Sequence, residues 1–362
     1  MGKLTFSDFF LEQWTRLPPP LHADLSNKVV MVTGANTGIG LETAKIFANQ
    51  HPKKLILGCR SESKGKAALA SIIKDTGYHD IELALFDMAD FGSVIKFAES
   101  FQDEPLDILV ANAGILVPEY TVTEDGWEST LQVNHLSTAL LSLLLMPNLI
   151  HTAQANGTIS RMVIVSSDMH YWIKLEEELL DSPSLLQKLS EKAYCTPEVM
   201  EQRYSVTKRA LCFTTTLLLH TDIENLVLNV LFARGLNEHL PASTPLIVNS
   251  VNPGYCYSEL RRASSFGVLF RLWLMDITLG RTAEGGARQL IWAALGPDGR
   301  EGKHIDWLRG TYVSTQGFKE PSDFVISQDG GRAQEKLWEE TIQTLTKLYP
   351  DLRTSIDQCL TA

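Results

Sequence analysis

Short, almost uninterrupted apolar runs punctuate this chain, with longer mixed stretches between them. The runs are Val29 to Val32, Lys54 to Cys59, Ile81 to Phe86, Leu106 to Val110, Met162 to Val165 and Leu246 to Val251. Val29 to Val32 is the kind of run that makes a buried parallel strand, and the other runs read as further strands of the same sheet. Gly310 to Thr315 reads as a last strand. The intervening stretches read as helices, among them Leu41 to Ala48, a long one from about Glu124 to Leu149, Arg281 to Ala294, and a closing amphipathic helix from Ala333 to Tyr349. Pro321 to Gly331 reads as loop. Strand and helix in alternation predict an α/β fold: a doubly wound parallel sheet in three layers, with right-handed crossovers. Residues 1–27 read as an irregular N-terminal arm, extended around Pro18-Pro19-Pro20, and residues 28–362 as one domain.

The first strand runs into Thr33-Gly-Ala-Asn-Thr-Gly-Ile-Gly40 and then into a helix. Glycine lets the backbone approach a pyrophosphate closely, and the helix N-terminus offers N–H groups and a positive dipole end to it. Gly34, Asn36, Thr37, Gly38, Ile39 and Gly40 are therefore candidate dinucleotide-binding residues. A strand-to-helix glycine turn is also a common tight connection. The segment after the second strand, Arg60-Ser-Glu-Ser-Lys64, has no acidic residue where ribose hydroxyls would be held. Arg60 and Lys64 place positive charge there, suited to a 2′-phosphate and so to NADP(H).

Composition narrows the partners. The formal net charge is −11 and no basic stripe is present, which disfavours nucleic acid. The five cysteines are scattered, with no paired spacing, and point to a reducing, cytoplasmic setting. No uninterrupted apolar run approaches the length of a membrane span.

The remaining motifs fall in a fixed order: Asp87-Met88 after the third strand, Asn112-Ala113-Gly114 after the fourth, Asn134 inside the long helix, Ser166-Ser167 after the fifth, Tyr204-Ser-Val-Thr-Lys208, and Asn252-Pro253-Gly254 with Ser258 after the sixth. Alone, each has a plain reading as a cap, a turn or a satisfied core amide. Tyr and Lys four apart lie on one helix face, where the ammonium favours the phenolate of a group whose free pKa is about 10. Together with Gly-x-x-x-Gly-x-Gly, the set resembles the short-chain dehydrogenase/reductase family over about residues 28–350, and in particular its retinol-dehydrogenase-like and fungal metabolite-modifying branch.

The resemblance implies a Rossmann fold and assigns roles. Tyr204 exchanges the proton on the substrate oxygen, Ser167 hydrogen-bonds that oxygen, Lys208 reaches the nicotinamide ribose, and Asn134 holds a water linked to the lysine. Asp87 and Met88 flank the adenine. Asn112, Ala113 and Gly114 line the cofactor. Pro253, Gly254 and Ser258 meet the nicotinamide carboxamide. No metal is required. A substrate loop over 168–202 and a lid over 256–280 imply a lipophilic small-molecule substrate, possible secondary-metabolite chemistry being the expectation from relatives. Tyr171 and Trp172 either line that substrate or pack the loop. The apolar residues from Phe266 to Leu279 form a lid, a piece of core or a surface-attachment patch. Homodimer formation follows the habit of relatives.

One stretch departs from the pattern: the eighteen residues Arg209 to Leu226 separate the Tyr-Lys motif from the run Leu228 to Arg234 that ordinarily continues its helix. They are either a helix extension or a retained intron in the gene model. Two rival readings stand beside an NADP(H)-dependent enzyme: an NAD-linked alcohol or retinol-type dehydrogenase, and a catalytically idle dinucleotide-binding scaffold.

Overall fold

The apolar runs become strands β1 (Val29–Thr33), β2 (Lys54–Cys59), β3 (Ile81–Leu85), β4 (Ile108–Ala111), β5 (Ser160–Val165), β6 (Leu246–Val251), β7 (Tyr312–Ser314) and β8 (Gly317–Lys319). They form one sheet in the order β3-β2-β1-β4-β5-β6-β7-β8. The computed structural model describes residues 4–102, 104–117, 119–172, 175–196, 224–256, 278–296 and 305–361. Every pairing is parallel except the last, β7 with β8. This is the doubly wound Rossmann arrangement. The chain reverses direction across the sheet between β1 and β4, where such folds open a crevice beyond the strand ends.

Period two along each strand splits the core into two layers. Met31, Ile56, Leu109 and Met162 face one side. They pack with helices α4 (Phe91–Ser100), α5 (Ser129–Asn156), α6 (Glu224–His239), α8 (Gln328–Leu348) and α9 (Asp351–Thr361). Val30, Leu55, Leu57, Val110 and Val163 face the other, against α2 (Gly38–Ala48), α3 (Glu62–Thr76) and α7 (Ala283–Leu295). The helix α5 is long and apolar enough to cross a membrane, but 83% of its most apolar window is buried inside the protein, as a core helix would be.

Several expectations are corrected. The N-terminal arm is not all irregular, because α1 (Phe6–Trp14) forms there. A capping box closes it: Asp8 N donates to Thr5 Oγ1 at 3.1 Å, and Thr5 N donates to the Asp8 carboxylate at 3.1 Å. The long helix starts at Ser129, not Glu124, because the Glu128 carboxylate caps the Thr130 and Leu131 amides, and it runs on to Gly157 in the left-handed conformation. Residues 321–331 are not loop. Ser322 caps a short helix, Asp323–Ile326, and Ser327 caps α8. Gly330 sits inside α8 because a Cβ there would lie 2.0 Å from the Phe324 carbonyl oxygen. The hairpin to β8 turns at Thr315 and Gln316, both with positive φ, in place of the usual glycine.

Candidate active site

The glycine turn is a cradle with no room for a side chain at Gly34 or Gly40. Gly34 and Gly38 have φ of +65° and +57°, a region that favours glycine. A Cβ on Gly40 would lie 2.3 Å from the Gly34 carbonyl oxygen and 2.6 Å from Asn112 Nδ2. Asn36, Thr37 and Ile39 are half-buried along the same turn, and no side-chain hydrogen bond caps α2. Thr33 and Asn112 fix the cradle. Thr33 Oγ1 accepts from the backbone amides of Asn112 and Ala113, both at 2.9 Å, and Asn112 Nδ2 donates to the Thr33 carbonyl at 2.9 Å. The turns after β1 and β4 are thus one unit at the crevice. A backbone forced this close, with a helix N-terminus at its end, fits a pyrophosphate. Thr33 was not singled out in the sequence; its place before Gly34 was the available signal.

Beside the cradle, Arg60 is exposed, and its guanidinium lies 3.9 Å from the Asp87 carboxylate. Lys64 is in the first turn of α3, where its amide donates to the Ser61 hydroxyl. Asp87 Oδ1 caps the Ala89 amide at 2.9 Å. Met88 is buried, with its carbonyl accepting from the Ser137 hydroxyl at 2.6 Å. The expected adenine and phosphate residues therefore converge at the ends of β2 and β3.

Asn134 lies in a π-helical segment of α5, Gln132–Leu136. Such wide turns often mark functional positions. Its side chain makes a two-bond clamp on Ile115: Oδ1 accepts from the Ile115 amide at 2.8 Å, and Nδ2 donates to the Ile115 carbonyl at 2.9 Å. That clamp holds the chain just beyond Asn112-Ala113-Gly114. The Asn134 main-chain carbonyl accepts from Asn229 Nδ2 at 3.0 Å. Asn229 also donates to the Val165 carbonyl at 3.1 Å, and its Oδ1 lies 3.1 Å from His135 Nδ1. One buried amide thus joins the π segment, α6 and the end of β5, two residues before Ser167. Sequence reading passed over Asn229, although a lone polar residue in Leu-Asn-Val-Leu was the signal that it had partners.

Burial pushes the His135 imidazole down to about 4 from an ordinary 6.5. A depressed histidine contributes stability that is present above pH 6.5 and lost as pH falls toward about 4. We expect His135→Gln to flatten that acid-side loss by about 3 kcal/mol, read from unfolding midpoints across the window. An unchanged pH slope would show that the ring is not buried neutral.

Ser167 sits just past β5. Its hydroxyl donates to Asp168 Oδ1 at 3.1 Å and accepts from the Met169 amide at 3.3 Å. Burial raises the Asp168 carboxyl to about 6, against the lowering effect of the Ser167 hydrogen bond. Tyr171 and Trp172, left open between substrate wall and loop packing, are engaged with protein: the Tyr171 hydroxyl donates to the Glu320 carbonyl, and Trp172 Nε1 donates to the Leu4 carbonyl at 2.9 Å. Past β6, Pro253 is buried, and Gly254 has a φ of +81° with its amide on Asn252 Oδ1 at 2.9 Å. Tyr204, Lys208 and Ser258 lie outside the described residues, as do most of the stretch 209–226 and of the expected lid.

Known proteins are similar to this chain over most of its length. A family model described as short chain dehydrogenase matches residues 28–171. The short chain dehydrogenase sol3 of Alternaria solani is 35% identical over 311 residues, covering 85% of this chain and 96% of that protein. Retinol dehydrogenase 12 of Homo sapiens is 34% identical over 297 residues, covering 81% of this chain and 82% of that protein. Among solved structures, an uncharacterized protein from Mycobacterium paratuberculosis is similar, with a TM-score of 0.59 and 26% identity over 91% of this chain and 98% of that one.

Proposed function

The chain belongs to the short-chain dehydrogenase/reductase family, and from that premise we propose that it is an NADP(H)-dependent oxidoreductase interconverting a carbonyl and an alcohol on a lipophilic small molecule. The observation that carries the reading is the cradle at Gly34, Gly38 and Gly40, bolted to Asn112 and opening on the same strand-end side as Ser167. When bound there, the dinucleotide supplies or takes the hydride at the substrate carbon. Tyr204 gives or takes the proton on the substrate oxygen, and the ammonium of Lys208, four positions on in the sequence, favours its phenolate. Ser167 hydrogen-bonds the same oxygen and stabilises the charge that develops on it. Doing so requires its hydroxyl to leave Asp168, or the Asp168 carboxyl to be protonated so that Ser167 accepts that hydrogen bond and keeps its own hydrogen for the substrate.

The preference for NADP(H) rests on Arg60 and Lys64 in place of an acidic residue after β2. Arg60→Ala tests it. The guanidinium is 69% exposed and only loosely paired with Asp87, so screening limits its effect, and we expect about tenfold weaker NADPH binding with NADH affected less than about threefold. Equal loss for both dinucleotides would contradict the preference. With NADPH in a reducing cytoplasm, carbonyl reduction is the favoured direction. The reading extends to secondary-metabolite modification and to a homodimer, both on the precedent of the family.

A further inference from the structure

We infer that the N-terminal helix α1 is a working part of the active site, a clasp that fixes the turn carrying Ser167 relative to the loop carrying Gly254. The inference builds on the proposed function but adds an element that lies before the matched family region.

Among the described residues, the attachments reach the segments after β5 and β6, the residues before α7, and β8. Trp172, in the 3-10 turn Asp168–Trp172 that follows Ser167, donates through Nε1 to the Leu4 carbonyl at 2.9 Å, and its ring meets Phe9 edge-on at 5.5 Å. Leu4, Phe9 and Leu279 form a small buried cluster with Tyr171, Trp172 and Tyr255 packed against it. Tyr171 and Trp172 come from beyond β5, Tyr255 from beyond β6. Arg281 donates to the Glu12 carbonyl, and its own backbone amide donates to the Tyr255 carbonyl at 2.8 Å. The Glu12 carboxylate pairs with Lys319 of β8, and that ammonium lies 4.9 Å over the Tyr171 ring. Trp14 Nε1 donates to the Thr278 carbonyl at 2.8 Å.

Gln13 brings the helix to the cofactor side. It is 7% exposed, its side-chain oxygen has no hydrogen-bond partner among the described residues, and its Nε2 would lie 3.3 Å from a Cβ on Gly254. Helix α1 therefore bridges two loops that share no strand pairing beyond β5 and β6. Each holds one group that must meet the substrate or the nicotinamide at the right distance. A displacement of about 1 Å between such groups can cost roughly a hundredfold in rate. Phe9 and Glu12 act as positioning residues.

The test is Phe9→Ala in the full chain, with Phe9→Leu as the volume-conserving rescue and Leu11→Ala, on the exposed face of the helix, as control. Two readouts are taken with NADPH present: kcat and KM for 1-naphthaldehyde and propanal, and hydrogen exchange at the amides of 166–172 and 254–256. Phe9→Ala should lower kcat about tenfold or more on either aldehyde, and speed exchange about tenfold in both loops, with NADPH affinity unchanged. Phe9→Leu should restore most of both, and Leu11→Ala should change neither. Faster exchange confined to 5–15, with both loops as protected as before, would reduce α1 to a surface strut and overturn the inference. If the unmutated chain reduces neither aldehyde, the proposed activity is at fault, and the exchange readout still decides the clasp.

Discussion

Replacing Tyr204 by Phe should lower carbonyl turnover about 1,000-fold while leaving NADPH affinity within about threefold. On the proposed mechanism the phenol hydroxyl exchanges the proton, and Phe removes only that hydroxyl. Ser167 and the Asn134 clamp would remain, so a residual rate above background is expected from positioning and oxyanion stabilisation alone. The loss should fall on kcat and kcat/KM together, since the proton transfer is made only in the transition state. Steady-state kinetics with a parallel dinucleotide titration measures both. If turnover vanished together with NADPH binding, the residue would be structural. An undiminished rate would remove Tyr204 from the chemistry altogether.

Gly40→Ala should weaken dinucleotide binding about thirtyfold or more, from roughly 2 kcal/mol of forced overpacking. The added methyl meets backbone on one side, the Gly34 carbonyl oxygen at 2.3 Å, and the Asn112 amide at 2.6 Å on the other. Neither can step aside cheaply. Asn112 is tied to the Thr33 carbonyl at 2.9 Å, and the Gly34 amide donates to the Gly58 carbonyl at 2.8 Å. The cradle must therefore open, and phosphate contacts lengthen with it. A Cβ on Gly38 meets nothing within 4 Å, so substitution there is limited by its φ of +57° and not by space. Gly38→Ala should accordingly hurt less than Gly40→Ala. Equal affinities for NADPH in the parent and Gly40→Ala chains, by titration calorimetry, would show that the turn is not the phosphate site.

Most of the parallel strands were legible because burial on both faces leaves no room for polar alternation; the edge strand β3, with Glu82 and Leu85 exposed, is the exception. Lys54–Cys59 and Leu246–Val251 could be bounded to the residue for that reason. Elements set by tertiary contact were not. The Thr315-Gln316 turn carries no glycine or asparagine to announce its positive φ values. Gly330 resembled a loop residue, yet close contact with the Phe324 carbonyl requires it inside a helix. Helix α1 is nine residues long and is held by a capping box and by side chains more than a hundred and fifty positions away, such as Trp172. In the site, the motifs singled out Ser167, Asn134 and the glycine turn from their place after or between the strands. They could not reveal that the Asn134 carbonyl is taken by Asn229, because a hydrogen bond across 95 positions has no local trace.

The central claim is that hydride passes between a nicotinamide bound at this cradle and a carbonyl carbon. The most direct measurement is mass spectrometry of products formed from deuterated [4,4-2H2]NADPH and a panel of aliphatic, aromatic and polycyclic aldehydes and ketones. The account predicts an alcohol carrying one deuterium on the carbinol carbon, formed by the parent chain and lost in Tyr204→Phe. NADPH bound tightly, with no carbonyl in the panel taking up deuterium, would contradict it.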